Sequence, residues 1–181
     1  MKRNLFFTAI LFCIITHAQD RRGSGGYTRG TMKNRVLQTG AENMKQYLTL
    51  LKDKRVAIFA NQTSIVGKTH LVDTLRKLGV NITVIFGPEH GFRGTADAGE
   101  KIGNYTDKQT GISVVSLYGN KKKPAKEDLK DVDIMLFDIQ DVGVRFYTFI
   151  SSLEYYMEAA MEHGKHLIVL DRPNPNAHYV D

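Results

Sequence analysis

The sequence predicts an α/β fold built on a doubly wound, mostly parallel sheet of about five strands. Short apolar runs rich in Val, Ile and Phe alternate along the chain with segments of helical period, an order typical of strands joined by helical crossovers. These runs are apolar at nearly every position, as in parallel strands covered on both faces. The two observations together indicate a Rossmann-like sheet with helices on either side.

Five strands are predicted where a short apolar run is followed by glycine or by polar side chains. The runs cover residues 55–60, 82–86, 112–117, 133–138 and 166–170. The polar segment between the second and third runs, residues 95–111, is predicted to be a loop because it has no clear period.

Three helices are predicted from apolar residues that recur every three or four positions. The first is expected to follow a capping box formed by Thr39 and Glu42, and the second and third to end at Gly79 and Gly164. All three apolar faces are expected to lie in the core. They consist of Met44, Tyr47, Leu48 and Leu51; of Leu71, Leu75 and Leu78; and of Phe146, Phe149, Ile150, Leu153, Tyr156, Met157 and Ala160.

The domain is predicted over residues 37–181, preceded by two segments of different character. Residues 1–18 have the positive start, short apolar core and small-residue end of a secretory signal peptide, with cleavage near Ala18. Residues 19–36 are rich in glycine and arginine, which predicts a flexible leader. We therefore expect a secreted protein.

Composition narrows the function classes. The single cysteine, Cys13, lies in the predicted signal peptide, so no disulfide or thiolate is expected in the domain. The net charge of +6, less the charges of Lys2 and Arg3, leaves a modest +4. Three lysines at residues 121–123 have no interleaved aromatics, which predicts a solvated loop and no nucleic-acid partner. No segment after the signal peptide is apolar enough to enter a membrane, and no Gly-x-Gly-x-x-Gly turn predicts a nucleotide cofactor.

Polar side chains follow four of the predicted strands and are expected to meet at one edge of the sheet. In parallel sheets the carboxyl ends of the strands share an edge, where ligands bind. Structural capping is an open alternative for Asp138 and Asp171, because Asp often caps the helix that follows a strand. The candidate site residues are Asn61 and Gln62; Glu89, His90 and Arg93; Asp138, Gln140, Asp141 and Arg145; and Asp171, Arg172 and Asn174.

The loop from Gly87 to Gly94 carries the most specific chemistry. Its three glycines permit positive φ angles and close approach of the backbone to a ligand. Glu89 is the best candidate for a general acid, and Asp138 or Asp141 is a candidate for the second carboxylate that glycoside cleavage usually needs. The arginines of the edge are suited to a substrate carboxylate. These residue types favour hydrolysis of a polar, anionic substrate.

Two alternatives remain open from the residues alone. His90, Asp138, Asp141 and Asp171 are suitable ligands for a divalent cation in a metal-dependent periplasmic hydrolase, although no His-Glu-x-x-His spacing supports a metal site. A non-catalytic module that binds an anionic sugar would use the same edge.

Three motifs resemble, in order, the exo-β-N-acetylmuramidase family of the NamZ type. They are FGPEHGFRG at residues 86–94, DIQDVGVRFYTF at 138–149 and LDRPNP at 170–175. The resemblance implies a secreted or periplasmic bacterial glycoside hydrolase that releases N-acetylmuramic acid from the non-reducing ends of peptidoglycan fragments such as MurNAc-GlcNAc. It implies a catalytic role for Glu89, with His90 beside it.

The resemblance also implies a second, C-terminal domain and an active site in the cleft between the two domains. Members of the family are longer than this chain, so we expect the chain to be truncated, with a C-terminal domain missing that would complete the cleft. Because muramic acid carries an N-acetyl group, the second catalytic group is either a protein carboxylate or the amide oxygen of the substrate.

Overall fold

The computed structural model describes residues 37–94 and 103–178. These residues belong to one compact unit, which extends from Val36 to Asp181. The predicted signal peptide and leader lie outside the described residues, as does part of the predicted loop at residues 95–111. Among the residues described, no helix has the length and apolar character needed to cross a membrane.

The secondary structure agrees with the predicted order. The helices are α1 (Met44–Leu51), α2 (Leu71–Lys77) and α3 (Phe149–Glu162), with a 3-10 turn at Lys126–Leu129. The strands are β1 (Arg55–Ala60), β2 (Ile65–Val66), β3 (Thr69–His70), β4 (Asn81–Gly87), β5 (Tyr105–Thr106), β6 (Ser113–Ser116), β7 (Ile134–Asp138) and β8 (His166–Val169). The five predicted strands correspond to β1, β4, β6, β7 and β8.

The sheet is doubly wound, as predicted. Its six strands have the order β5-β6-β4-β1-β7-β8, and only β5 pairs in the antiparallel direction. The chain proceeds outward from β1 through β4 to β6 and then returns past β1 to β7 and β8. The direction of winding therefore reverses between β1 and β7. In such sheets ligands bind beyond the carboxyl ends of the strands at this switch point.

The central strand β1 contributes to both sides of the core. Because side chains alternate along a strand, Val56, Ile58 and Ala60 join the apolar cluster that includes α1 and α2. Ala57 and Phe59 join the cluster on the opposite face, which α3 covers. All five are fully buried, so the sheet provides a rigid base for the loops at its carboxyl edge.

Two short strand pairs were not predicted. The hairpin of β2 and β3 follows β1, and β5 adds to the edge of β6, within the segment predicted to be a loop. Each of these strands has only two residues. Two residues cannot show an alternating pattern, so tertiary contacts rather than periodicity define these strands.

The structure corrects the predicted start of the first helix and the predicted burial of Leu78, whereas the second helix ends before Gly79 as predicted. Thr39 and Glu42 form the reciprocal bonds of a capping box, since Thr39 N donates to Oε2 of Glu42 at 2.9 Å and Glu42 N donates to Oγ1 of Thr39 at 3.3 Å. These bonds close a turn, however, and α1 begins only at Met44. Leu78 lies just beyond α2 and is 54% exposed, so the prediction that it belongs to the core was wrong.

The predicted core face of α3 is only partly buried. Tyr156 and Ala160 lie in the core, whereas Phe146, Ile150 and Met157 are 91%, 60% and 44% exposed, so the prediction was wrong for these three residues. The helical period shows which side chains align, but it does not show what covers them.

Tyr156 offers a test of the core. Its hydroxyl is buried among aromatic rings and has no hydrogen-bond partner within the described part of the chain. Burial without a partner costs free energy, so we expect Tyr156→Phe to raise the free energy of unfolding by about 1 kcal/mol. The matched control is Tyr47→Phe, because Tyr47 donates to the carbonyl of Ala41 at 2.8 Å and its loss should destabilise by about 1 kcal/mol. Urea unfolding measures both; destabilisation by Tyr156→Phe would contradict the expectation.

Candidate active site

The Glu89 loop follows β4 at the carboxyl edge of the sheet and turns sharply. Gly91 N donates to the carbonyl of Pro88 at 3.0 Å, which closes a turn around Glu89 and His90. His90 has a φ of 69° and Gly91 a φ of 73°. The left-handed backbone conformation costs a residue with a side chain about 1–2 kcal/mol in conformational energy. Such strain is concentrated at functional sites.

Two side chains anchor the loop to the domain. Phe92 is fully buried and meets the ring of His70 edge to face, with 5.0 Å between ring centroids. Arg93 donates through Nε to Oδ1 of Asp107 at 2.8 Å and through Nη2 to Oδ1 of Asp73 at 3.0 Å. The Arg93 guanidinium lowers the pKa of Asp107 to about 2. Because Arg93 is held by two carboxylates, the structure favours a structural role for it over the predicted role in substrate binding.

Tyr118 lies beside Glu89 and was not among the predicted site residues. It follows β6, the strand next to β4, and both side chains are partly exposed. The hydrogen bond to the Glu89 carboxylate raises the pKa of Tyr118. The signal that identified the other candidates, a polar side chain just beyond a strand, also applies to Tyr118.

The exit of β1 forms a hydrogen-bonded bridge to β7 across the switch point. Oδ1 of Asn61 accepts from the backbone N and from Oγ1 of Thr63, at 2.9 and 2.6 Å. Thr63 Oγ1 in turn accepts from Gln140 N at 3.0 Å, and Ser64 Oγ donates to the carbonyl of Asp138. Asn61 is 1% exposed, so its main role is to hold the exit of β1 in position. Within the described residues its Nδ2 has no hydrogen-bond partner.

Asp138 and Arg172 form a buried ion pair. Nε and Nη2 of Arg172 donate to Oδ1 and Oδ2 of Asp138 at 2.6 and 2.9 Å, and Nη2 also donates to the carbonyl of Ile65 at 3.1 Å. Burial raises the pKa of Asp138, and the Arg172 guanidinium opposes that rise. Of the two roles left open for Asp138, the structure favours the structural one. It likewise commits Arg172 to Asp138 rather than to a substrate.

The loops after β7 and β8 are tied to each other. Gln140 Nε2 donates to the carbonyl of Pro173 at 2.9 Å, and Gly143 N donates to Oδ2 of Asp141 at 3.1 Å. A Cβ on Gly143 would lie 2.2 Å from Nδ2 of Asn174, so only glycine permits this contact. Gln140 therefore acts as a brace, while Asp141 and Asn174 remain partly or largely exposed.

An open groove of about 350 Å³ lies between these loops and α3. Its polar lining consists of four predicted site residues, Asp141, Asp171, Arg172 and Asn174. Arg145 lies on the same loop as Asp141, is exposed, and makes no hydrogen bond or ion pair with the residues described. It is thus the predicted arginine whose donors are not already used.

The predicted residues therefore form two groups separated by β1. Glu89 and His90 follow β4, and Gln62 packs against Gly94 of the same loop. Asp141 follows β7, two strands away, which corresponds to about 10 Å between strand axes. That separation exceeds the ~5 Å between the two carboxyl groups of a retaining glycosidase.

The described residues do not assemble the alternative metal site. No three His, Cys, Asp or Glu side chains in residues 37–94 and 103–178 lie close enough together to hold a metal ion. The suggested ligands follow different strands, His90 after β4 and Asp141 after β7, and Asp138 is paired with Arg172. The geometry thus gives no support to that alternative.

Comparison with known proteins agrees with the three motifs. The family described as "Exo-beta-N-acetylmuramidase NamZ, N-terminal" matches residues 56–181. The chain belongs to this family. The resemblance predicted from the sequence is therefore confirmed, and the matched range includes every predicted site residue.

The relatives of this NamZ-family chain are much longer than the chain itself. The peptidoglycan beta-N-acetylmuramidase NamZ of Bacillus subtilis (strain 168) is 48% identical over 80% of this chain, which covers 36% of that protein. Two crystal structures of DUF1343 family proteins from Bacteroides fragilis NCTC 9343 are similar, with TM-scores of 0.68 and 0.69 and identities of 45% and 43%. They match 79% and 76% of this chain, which spans 36% and 35% of theirs.

The ion pair makes stability depend on pH in a predictable direction. Arg172→Met removes the partner that opposes the effect of burial, so the pKa of Asp138 rises further above its unfolded value. A raised folded-state pKa contributes stability at low pH that is lost as the pH rises through it. We expect a loss of about 3–5 kcal/mol at pH 7.5 and a smaller loss at pH 4.5.

Urea unfolding of wild type and variant at the two pH values measures this effect. Arg145→Met is the matched control, because Arg145 is exposed and should change stability by less than about 0.5 kcal/mol. Equal losses in the free energy of unfolding at both pH values would show that Arg172 does not stabilise the ionised form of Asp138.

Proposed function

We propose that this domain supplies the catalytic loop of an exo-acting glycoside hydrolase that releases N-acetylmuramic acid from the non-reducing ends of peptidoglycan fragments. The observation that supports it most is Glu89, a partly exposed carboxylate on a loop that Phe92 and Arg93 anchor at the ligand-binding edge. The 48% identity to a peptidoglycan beta-N-acetylmuramidase supplies the substrate class.

In this proposal Glu89 is the general acid. Its carboxyl proton moves to the glycosidic oxygen as the bond from that oxygen to the anomeric carbon of N-acetylmuramic acid breaks. The oxygen of a water molecule then bonds to the anomeric carbon as the hydroxyl of the released sugar, and the proton that this water loses replaces the one donated by Glu89. The anchored loop fixes the direction of the carboxyl group, which matters because misplacement of an acid by about 1 Å costs much of its effect. His90, on the same turn, is proposed to contact the substrate.

The second catalytic group is either Asp141 or the substrate itself. With Asp138 committed to Arg172, Asp141 is the partly exposed carboxylate that remains on the exit of β7. It lies on the far side of β1 from Glu89. If the acetamido oxygen of the substrate attacks the anomeric carbon, no second protein nucleophile is needed.

Recognition of the substrate is proposed to use exposed polar groups of the edge. Arg145 is exposed and its donors are not used by the described residues, so it is the arginine suited to fork onto the lactyl carboxylate of muramic acid. Gln62 and Asn174 are exposed on either side of β1 and complete the set. We further propose that a C-terminal region like that of the longer relatives completes the cleft, and that the protein acts in the periplasm or outside the cell after cleavage near Ala18.

The acid role predicts a large and specific loss of activity. With the mature chain from Gln19 and a chromogenic N-acetylmuramic acid β-glycoside, we expect Glu89→Gln to reduce release at least about a hundredfold, because the proton donor is lost. The matched control is Glu127→Gln, an exposed carboxylate outside the site, which should leave release unchanged. Asp141→Asn separates the two routes: full activity would favour the substrate-assisted one.

Chelator and binding measurements identify the outcomes that would contradict the proposal. Release that disappears with chelator and returns with added metal would indicate a metallohydrolase. Saturable binding of MurNAc-GlcNAc, seen by calorimetry, without release even when the C-terminal region of a longer relative is supplied would indicate a non-catalytic muropeptide-binding module.

A further inference from the structure

We propose that Tyr118 is a positioning residue for Glu89: its hydroxyl donates to the Glu89 carboxylate and holds it in the orientation that proton donation requires. The inference rests on the proposed role of Glu89 as the acid. It adds a residue that neither the motifs nor the comparisons single out.

The register of the sheet brings the two residues together. In the parallel pair of β4 and β6, Gly87 is the partner of Ser116. Leu117 N then donates to the carbonyl of Gly87 at 2.9 Å and extends the pairing past the last strand residue. Glu89 and Tyr118 each follow the Gly87–Ser116 pair by two residues. Neighbouring strands lie about 4.8 Å apart, so the backbone itself places the phenol within reach of the carboxylate.

Both sides of the contact are fixed by their surroundings. On the Glu89 side, the left-handed turn at His90 and the buried ring of Phe92 hold the loop. On the other side, Leu117 is buried, and the chain turns away at Gly119 with a φ of 75°. A hydrogen bond between two groups on rigid supports orients its partners without a large further loss of entropy.

The chemistry of the pair suits an acid that must release its proton. A hydroxyl that donates to a carboxylate forms a charge-assisted bond, which is stronger to the ionised than to the neutral group. Tyr118 therefore stabilises the carboxylate that remains after Glu89 has protonated the leaving oxygen. It occupies one carboxyl oxygen and leaves the other for the substrate. Tyr118 keeps its own proton throughout, since the bond to Glu89 raises the pKa of Tyr118.

Kinetics of Tyr118→Phe test the role in catalysis. We expect kcat to fall about tenfold with little change in KM, because orientation rather than binding is lost. Tyr155→Phe on α3 is the control and should alter neither quantity.

A second measurement tests the contact without turnover. Ultraviolet titration of the tyrosines identifies the phenolate that is missing in Tyr118→Phe, and in Glu89→Ala that phenolate should form at lower pH. If the chain releases no sugar even when the C-terminal region of a longer relative is supplied, the proposed function fails and this titration alone decides the inference. An unchanged phenolate in Glu89→Ala overturns it. So does an unchanged kcat in Tyr118→Phe when Glu89→Gln is inactive, and that result leaves the proposed function intact.

Discussion

The buried ion pair of Asp138 and Arg172 is the interaction on which the carboxyl edge of the sheet depends. It joins the end of β7 to the segment after β8, and through the carbonyl of Ile65 it also holds the hairpin after β1. A carboxylate with no exposed surface is tolerable only while its partner is present. The two charges of this pair therefore stabilise the edge itself, and under the proposed function other groups would contact the substrate.

The polar residues of the candidate site consequently form two groups. Buried ones hold the loops in place, and more exposed ones are accessible to a ligand. Asn61, Gln140 and Arg93 form internal bonds that set the positions of the loops. Glu89 is partly exposed and Arg145 is exposed, so both side chains are accessible at this edge. The division follows from burial: a buried polar group must satisfy its bonding within the protein, whereas an exposed one can exchange water for a ligand at little cost.

The sequence was sufficient to predict the sheet and the edge at which the candidate residues lie, because apolar runs and the polar residues after them follow simple periodic rules. It could not show which polar residues are buried and which are exposed, since Asp138 and Asp141 have the same chemistry and lie on the same strand exit. Nor could it show that Phe146 is exposed, because a helical stripe does not reveal what packs against it. Tyr118 was missed for a different reason: its pairing with Glu89 depends on the register between β4 and β6, a non-local property.

The left-handed backbone at His90 has a consequence for mutational tolerance. Position 90 selects first for residues that accept positive φ, which glycine, asparagine and aspartate do more readily than others. Variants with β-branched side chains would strain the backbone and destabilise the loop, whatever the chemistry of the side chain. In a saturation mutagenesis library, enrichment at this position would thus reflect tolerance of a positive φ as well as function. Only a comparison among the residues that tolerate a positive φ would isolate the contribution of the imidazole.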